Sequence, residues 1–479
     1  MTLNELFSGQ NGLSATEVKG LTADSRKVAP GFVFAALKGV VADGRTYIPQ
    51  AIEAGAIAVL GEDLPAIEGA AAIDVSNARL ALAEASARFY PVQPKTIIGI
   101  TGTNGKSSTV DFLRQIWNSA GLQAASMGTL GAIGPKGSID LGHTTPDPVA
   151  IHETLEALAK DGVTHVAMEA SSHGLAQYRL DAVKLTSVAF TNLTQDHLDY
   201  HRTMEEYRAA KLRLFGDLAP KGCAAVVNAD SDERKAFEAE AKAHGLNVIS
   251  VGWRGSDLKI EELMPKATGQ RLFLDWRGEK AAVDLPLIGE FQALNALTAA
   301  GLALGEGLGL QAVCEGLAAL KPVKGRLEYV GETEGGAGVF VDYAHTPAGL
   351  DVLIRAARPH TAGRLVVVFG CGGDRDKGKR PQMGAIAAKH ADLVIVTDDN
   401  PRTENAATIR SEVLAAVPEG REIGDRGEAI RTAISELRKG DTLLIAGKGH
   451  ETGQIIGDKV IPFSDQETAM SALKGGVHV

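Results

Sequence analysis

Residues 96–109, Thr-Ile-Ile-Gly-Ile-Thr-Gly-Thr-Asn-Gly-Lys-Ser-Ser-Thr, restrict the fold more than any other stretch of the chain. An apolar run at 96–100 reads as a short buried strand. A loop with two glycines follows, and 109–117 has the apolar spacing of a helix. A strand that empties through such a loop into a helix start aims backbone N–H groups and the positive end of the helix macrodipole at one place, the geometry that holds phosphate. Gly102 and Gly105 let the chain turn tightly and approach the phosphates. Lys106 is expected to neutralise the β- and γ-phosphates, and the Ser107 hydroxyl to ligate Mg²⁺. Isoleucine stands at position 100, where the strict G-x-x-x-x-G-K-[ST] pattern has its first glycine.

With 479 residues the chain is too long for a single core, and two to four domains are expected. Its 44% apolar and 5% aromatic content, with 55 glycines, is that of an ordinary α/β protein. No apolar run reaches the roughly eighteen residues of a membrane span. The start, Met-Thr-Leu-Asn-Glu-Leu-Phe, lacks the basic segment and apolar core of a signal peptide. Three scattered cysteines, Cys223, Cys314 and Cys371, suggest a reducing, cytoplasmic setting instead of disulfides or a zinc site. The formal net charge of −10 argues against a nucleic-acid binder, while local cations can still hold anionic small molecules. A monomer acting on small molecules is expected.

Residues 1–91 read as a small α/β unit, with strands at 31–37 and 57–60 and a helix at 78–90. Two polar clusters interrupt it, Thr-Ala-Asp-Ser-Arg at 22–26 and Ala-Asp-Gly-Arg-Thr-Tyr at 42–47; each alone reads as a turn or a helix cap. Pro91 and Pro94 mark a linker. Residues 92–322 alternate strands and helices, with further strands at 164–168, 187–191 and 224–228. Lys106, Glu169 and His197 fall at or just after strand ends, where open parallel sheets place ligand groups. A carboxylate there suits Mg²⁺ in a phosphate-handling enzyme. The residues after Glu169, 170–175, are too small and polar for a simple turn into a core helix, which favours a functional loop. Residues 203–215 carry a helical stripe of Met204, Tyr207, Leu214 and Phe215, and Lys211 falls inside it. A snorkelling lysine is the ordinary explanation. A desolvated one has a depressed pKa and a reactive neutral amine.

Residues 323–479 again alternate strand and helix, with strands at 338–342, 365–369, 393–397 and 442–446. All four empty into polar or glycine-rich loops, at 342–347, 370–375, 398–402 and 447–451. One such loop is a turn; four on one sheet edge define a ligand-binding edge.

The wording of these segments resembles the Mur ligase family, the ATP-dependent amide ligases of peptidoglycan synthesis and their relatives the folylpolyglutamate synthases. Thr-Gly-Thr-Asn-Gly-Lys-Ser at 101–107 is similar to the family's P-loop, and the clusters at 22–26 and 42–47 resemble its UDP-binding first domain. Gly-Arg-Leu-Glu (325–328), Asp-Tyr-Ala-His-Thr-Pro (342–347), Gly-Cys-Gly-Gly-Asp-Arg-Asp (370–376) and Asp-Asn-Pro-Arg (399–402) occur in the family's order. The resemblance implies three α/β domains: a UDP-substrate domain at 1–91, a central P-loop ATPase domain with a parallel sheet at 92–322, and a Rossmann-like amino-acid domain at 323–479. It implies ATP contacts from Gly102, Thr103, Asn104, Gly105, Lys106, Ser107 and Ser108, from Asn295 at the adenine, and from Arg326 and Asp342 at phosphate and ribose. Contacts to a UDP-MurNAc-peptide fall on Ala23, Ser25, Val40, Val41, Ala42, His143, Thr144, Thr145, Ser171, Gln177 and Arg179. His143 and Gln292 stand where the family usually has asparagine. In the family the lysine matching Lys211 is carbamylated from CO₂. With Ser107, Glu169 and His197 it is implied to hold Mg²⁺.

Asp-Asn-Pro-Arg marks, within the family, selection of meso-diaminopimelate over L-lysine. Asp399, Asn400, Pro401 and Arg402 are therefore implied contacts to diaminopimelate, with Arg375, Gly447 and Glu451. The chemistry agrees. Arg402 can grip the extra carboxylate in a two-pronged, charge-assisted contact and repel the ammonium of lysine. Glu451 can accept the distal ammonium. The implied reaction is stepwise: the D-glutamyl γ-carboxylate of UDP-MurNAc-L-Ala-D-Glu attacks ATP, and the diaminopimelate amine attacks the resulting acyl phosphate. A substrate gathered from three domains implies closure that excludes water. Three rival readings are a lysine-adding Mur ligase and a folylpolyglutamate-type ligase, against which the Asp-Asn-Pro-Arg loop and the UDP-type first domain argue, and a P-loop NTPase switch without ligation, which leaves the four loops of 323–479 unexplained.

Overall fold

The apolar runs set the strand positions. The computed structural model describes residues 1–10, 12–39 and 42–475, and each run named above becomes a strand. The chain gathers into two compact units, Met1–Asp257 with Thr298–Gly309, and Leu258–Leu297 with Leu310–Val479.

In the first unit β1 (Gly20–Thr22), β2 (Phe32–Ala35), β3 (Ala58–Gly61) and β4 (Ala71–Asp74) form a parallel sheet in chain order. Helix Ala78–Phe89 closes it, burying Leu82 and Ala85 against Leu6, Val33 and Leu60. Both polar clusters are capped turns. Asp24 caps Ser25–Lys27 and Asp43 caps Gly44–Tyr47, each accepting the backbone N–H two residues on. Each carboxylate also pairs with the arginine of its own turn, Arg26 at 2.8 Å and Arg45 at 2.7 Å.

A second sheet of this unit contains β5 (Thr96–Thr101), β6 (Ala124–Gly128), β7 (Gly131–Gly134), β8 (Gly137–Ile139), β9 (His165–Glu169), β10 (Ser187–Phe190), β11 (Ala224–Asn228) and β12 (Asn247–Gly252). Their order is β12-β11-β10-β5-β9-β6-β7-β8. Pairing is parallel from β12 to β6 and antiparallel along the β7–β8 edge. All six residues of β5 are buried. Its neighbours β10 and β9 follow it in the chain on opposite sides, so the strand ends around β5 open a crevice. Phe190 pairs with Thr101 and Glu169 with Ile100, which brings the three strand ends level. Helix Lys106–Ser119 starts three residues before its apolar spacing becomes visible, because Gly105, at φ +86°, turns the chain directly into it. Phe112, Leu113, Ile116 and Trp117 are fully buried on its inner face. Each such side chain contributes about 1.5–3 kcal/mol.

Two local features differ from the sequence reading. The stretch after Glu169 does turn into a short helix, Ser172–Ala176, since the Ser171 hydroxyl accepts the Gly174 N–H at 3.1 Å and caps it. Helix Met204–Arg213 continues as a π turn, Leu214–Leu218, that carries Leu214 and Phe215 into the core beside Tyr207.

In the second unit β13 (Leu258–Lys266), β14 (Gly269–Trp276) and β15 (Glu279–Leu285) form an antiparallel meander. A six-stranded sheet follows from β16 (Glu328–Glu332), β17 (Gly338–Asp342), β18 (Leu365–Phe369), β19 (Leu393–Val396), β20 (Arg421–Glu422) and β21 (Thr442–Ala446), in the order β16-β17-β21-β18-β19-β20. Only β16 is antiparallel, so the four loops anticipated above leave one edge together. A hairpin, β22 (Gly453–Ile456) and β23 (Lys459–Pro462), lies next in the chain. Among the described residues no helix is long and apolar enough to cross a membrane. The three cysteines are free.

Candidate active site

The loop between β5 and its helix is fixed from the β10 side. Thr103 N–H donates to the Asn192 carbonyl at 2.8 Å, and Asn104 N–H to the Asn192 side chain at 3.0 Å. The Thr191 hydroxyl donates to the Asn104 carbonyl at 2.6 Å. Gly102, at φ +149°, admits no side chain: a Cβ there would lie 1.9 Å from the Thr191 hydroxyl. Ser108 is buried in the first helical turn and Asn104 is exposed. Two lysines then meet at one carbonyl. Lys106 Nζ donates to the Gly102 and Thr103 carbonyls, each at 2.8 Å, and Lys211 Nζ donates to the same Gly102 carbonyl at 2.8 Å.

Lys211 is 1% exposed. Its ammonium sits 4.5 Å from the centre of the Tyr207 ring, and the Tyr207 hydroxyl lies 3.1 Å from that of Thr103. Burial above all, and then the neighbouring Lys106 charge, hold the Lys211 amine well below the usual lysine range, with Asp196 opposing. The odd lysine of the sequence is therefore a desolvated amine pressed against a second cation.

Glu169 ends β9 and is 2% exposed. One carboxylate oxygen accepts the Thr129 N–H at 2.9 Å, the other the Thr129 hydroxyl at 3.4 Å. Ser107 and Glu169 line one small cavity with Asp111, Ser126 and Gly128. A hydroxyl and a buried carboxylate form an oxygen donor set that suits Mg²⁺. His197, at φ +53°, is exposed, with Nε2 3.4 Å from Asp196 and its ring 4.8 Å from that of His173. Among the described residues no cluster of three or more His, Cys, Asp or Glu could hold a metal by itself.

Beside Glu169 lies the stretch assigned to the UDP-peptide. The Thr145 hydroxyl donates to the Glu169 carbonyl at 2.9 Å and accepts the Ser171 N–H at 3.1 Å. The Thr144 hydroxyl lies 3.0 Å from that of Thr129, and His143 is exposed. Gln177 is a meeting point. Its amide oxygen accepts from Arg179 at 2.8 Å and from Arg79 at 3.3 Å, and its amide nitrogen donates to the Tyr200 hydroxyl at 3.1 Å. Arg79 also donates to the Lys38 carbonyl at 2.8 Å, tying the first sheet's loop to Gln177. Among the described residues neither guanidinium has a carboxylate partner, and burial together with Arg79 lowers the Arg179 pKa. Ser25 reaches Gln50 at 3.5 Å, and Ala23 and Ala42 are exposed. Val40 and Val41 lie outside the described residues.

In the second unit Asn295, buried on helix Glu290–Gly305, donates to Gln292 at 3.1 Å, and Gln292 donates to the Arg326 carbonyl at 3.1 Å. The departure from asparagine at 292 thus links two of the expected nucleotide residues. Asp342 uses both oxygens within its own fold, accepting the Leu327 N–H at 2.6 Å and the Ala344 N–H at 2.7 Å. Burial raises its pKa, with Arg326 opposing. The Arg326 guanidinium lies 4.8 Å from the centre of the Tyr343 ring.

The Asp-Asn-Pro-Arg loop leaves β19 and is held by the β22–β23 hairpin. Arg402 N–H donates to the Ile455 carbonyl at 3.1 Å, and Gly457 N–H to the Arg402 carbonyl at 2.8 Å. These bonds keep Arg402 at φ +52°. Its Nη1 donates to the Gly373 carbonyl at 2.9 Å, and among the described residues it has no carboxylate partner. Pro401 is buried, and Arg375 is exposed, donating to the Asp374 carbonyl at 3.1 Å. Asn400 donates to Glu451 Oε2 at 3.0 Å. Gly447, at φ +118°, is the turn out of β21. Behind it, Arg426 and Asp465, both fully buried, pair at 2.7 Å, and Arg426 also donates to the Ala446 carbonyl at 3.0 Å.

The sequence reading named neither Lys448 nor Arg79, Thr129 or Arg426. For Lys448 a signal existed: a lysine between two glycines after an apolar strand, inside a loop already singled out. For the others the partner is 20 to 98 residues away, and nothing local marks them.

Three stretches match domains of one family: residues 17–95 the Mur ligase family catalytic domain, residues 100–303 the Mur ligase middle domain, and residues 325–449 the Mur ligase glutamate ligase domain. The chain is 52% identical over 470 residues to the UDP-N-acetylmuramoyl-L-alanyl-D-glutamate–2,6-diaminopimelate ligase of Bradyrhizobium diazoefficiens, covering 97% of this chain and 96% of that one. It is 50% identical over 477 residues to the enzyme of the same name from Agrobacterium fabrum, covering 98% and 96%. A solved structure of a ligase with that name superposes with a TM-score of 0.78 at 32% identity, over the full length of both chains. The chain belongs to the Mur ligase family.

Proposed function

We propose that this chain is the ATP-dependent ligase that joins meso-2,6-diaminopimelate to the D-glutamyl γ-carboxylate of UDP-MurNAc-L-Ala-D-Glu in peptidoglycan precursor synthesis. The observation that carries the choice of amino acid is the Asp399–Arg402 loop. A half-buried guanidinium without a carboxylate partner among the described residues stands on the same loop as Asn400, which holds Glu451. A distal head bearing both a carboxylate and an ammonium fits that pair; the distal ammonium of lysine leaves Arg402 unmatched.

The γ-carboxylate attacks the γ-phosphorus of ATP, ADP leaves, the diaminopimelate amine attacks the acyl carbon, and phosphate leaves. Lys106 and the N-terminal N–H groups of helix Lys106–Ser119 face the charge that develops on the transferring phosphoryl group. Gly102, Thr103, Asn104, Gly105 and Ser108 form the cradle. Asn295, Arg326 and Asp342 serve adenine, phosphate and ribose. Thr144, Thr145, Ser171, Gln177, Arg179 and His143, with Ala23, Ser25, Val40, Val41 and Ala42, orient the UDP-peptide. Ser107, Glu169, His197 and Lys211 would hold Mg²⁺, which when bound neutralises phosphate charge. The depressed pKa of Lys211 supports its carbamylation by CO₂, since only a neutral amine attacks CO₂ and the product is an anion suited to the metal side. Domains at 1–91, 92–322 and 323–479, a monomer, and a cytoplasmic setting complete this reading.

The test is phosphate release from ATP with UDP-MurNAc-L-Ala-D-Glu, comparing meso-diaminopimelate with L-lysine, in wild type and Arg402→Ala. Loss of a charge-assisted contact lowers kcat/KM for diaminopimelate roughly ten- to a hundredfold. Release with lysine in the wild type would instead identify a lysine-adding ligase, and release independent of any amino acid an NTPase.

A further inference from the structure

Lys448 is fully buried, and its ammonium has three partners. It donates to Asn400 Oδ1 at 3.0 Å and to Glu451 Oε2 at 3.1 Å, and lies 3.5 Å from Asp399 Oδ1. Asn400 closes the ring: its amide nitrogen donates to the same Glu451 Oε2 at 3.0 Å, and its oxygen also accepts the Ile455 N–H at 2.9 Å. Both donors converge on Oε2. Among the described residues no donor reaches Glu451 Oε1, so one oxygen is pinned and the other is presented.

We propose that Lys448 is the positioning residue through which the site reads the configuration of the distal carbon of diaminopimelate. This rests on the functional reading given above. That carbon bears a carboxylate, an ammonium, a hydrogen and the rest of the chain. Arg402 takes the carboxylate and Glu451 the ammonium. With the chain direction set by the reacting end, those two contacts fix the hand of the carbon only if their separation and direction are fixed. Glu451 follows a turn that begins at Gly447, whereas Arg402 follows β19. The Lys448–Asn400–Glu451 ring joins the two: Asn400 is two residues from Arg402 on one loop, and Lys448 is three residues from Glu451 on the other. Without the ammonium, Glu451 keeps one neutral donor, faces Asp399 without the intervening positive charge, and can swing to meet an ammonium on either side. Discrimination between the meso and LL isomers then weakens, and affinity for both falls.

The experiment measures kcat and KM separately for meso- and LL-diaminopimelate, ATP and UDP-MurNAc-L-Ala-D-Glu, using full-length wild type and Lys448→Met. The expected result is a KM for meso-diaminopimelate raised roughly tenfold or more, with unchanged KM for the other two substrates. The meso-to-LL ratio of kcat/KM falls toward one. In a Glu451→Gln background, adding Lys448→Met changes the ratio little further, because the group it positions is already altered. Should Lys448→Met fail to fold, Lys448→Gln, which keeps an N–H donor but no charge, carries the same expectation at smaller size. A soluble variant with the wild-type isomer ratio overturns the proposal. If the wild type itself ignores diaminopimelate, the functional reading fails and the proposal with it; if it discriminates and the variants do so equally, only the role of Lys448 fails.

Discussion

Gly128→Ala tests the placement of Glu169. Gly128 is the last residue of β6 and its backbone lies outside the left-handed region, so alanine is acceptable in conformation and only space is at issue. A Cβ there would lie 2.1 Å from Glu169 Oε1 and 2.6 Å from both Cδ and Cγ. Non-bonded carbons settle at about 3.5–4.0 Å, so the carboxylate must retreat by about 1 Å. It is 2% exposed and held by the Thr129 N–H at 2.9 Å, so it retreats by giving up that bond. Overpacking of this kind costs about 1–3 kcal/mol, which a protein of this size survives. A misplacement of about 1 Å at a catalytic group costs on the order of a hundredfold in rate. The assay is phosphate release at saturating substrates across a Mg²⁺ titration, with nucleotide binding followed separately. The expected result is a kcat about a hundredfold lower, a Mg²⁺ midpoint moved to higher concentration, and nucleotide affinity little changed. Gly9→Ala, where nothing lies within 4 Å of the new carbon, serves as control. Wild-type kcat and Mg²⁺ dependence in a folded Gly128→Ala would refute the assignment of Glu169 to the metal side.

Two further outcomes follow from buried titratable groups. Wild type in ¹³C-bicarbonate should show a carbamate resonance that Lys211→Met lacks, and stripping CO₂ should depress activity until bicarbonate is restored; a wild-type spectrum without that signal would remove the carbamate. His152 is fully buried, and burial, with Lys184 second, holds its imidazole down to about 4 from 6.5. The folded state therefore binds this proton less readily than the unfolded state, so its contribution is intact above pH 6.5 and lost as pH falls toward 4. Between pH 7.5 and pH 5 the loss is about 2 kcal/mol, read as the difference in urea-unfolding free energy between wild type and His152→Phe at the two pH values; equal pH dependence in both would refute it.

Much of the candidate site was legible because its residues sit where periodicity changes. Glu169 ends an apolar run, Lys106 opens a helix, and Lys211 breaks an apolar stripe, so each is visible within a few residues of itself. The loops after β17, β18, β19 and β21 were legible for the same reason. What stayed hidden depends on approach between distant segments. Gly128 reads as an ordinary strand glycine until Glu169, 41 residues on, is seen to fill the space of its side chain. Arg79 looks like a surface residue of a helix until Gln177, 98 residues away, accepts from it. Spacing likewise showed Lys211 to be unusual, but only burial and the shared Gly102 carbonyl show why its amine is depressed. The short helix after Glu169 was missed because its five residues, Ser-His-Gly-Leu-Ala, hold no full apolar period, and the signal lay in the Ser171 cap alone.

The fully buried pair of Arg426 and Asp465 also sets a condition on how the chain can fold as it is synthesised. The loop after β5, Glu169 and Lys211 all belong to the first unit, whose last stretch ends at Gly309. Arg426 emerges next and must be enclosed beside the Ala446 carbonyl, yet its counter-charge arrives only with Asp465. A lone guanidinium resists enclosure, so the turn at Gly447, and with it Lys448 and Glu451, settles only after residue 465 has left the exit tunnel. The loop after β21 is thus among the last parts of the chain to reach its folded form.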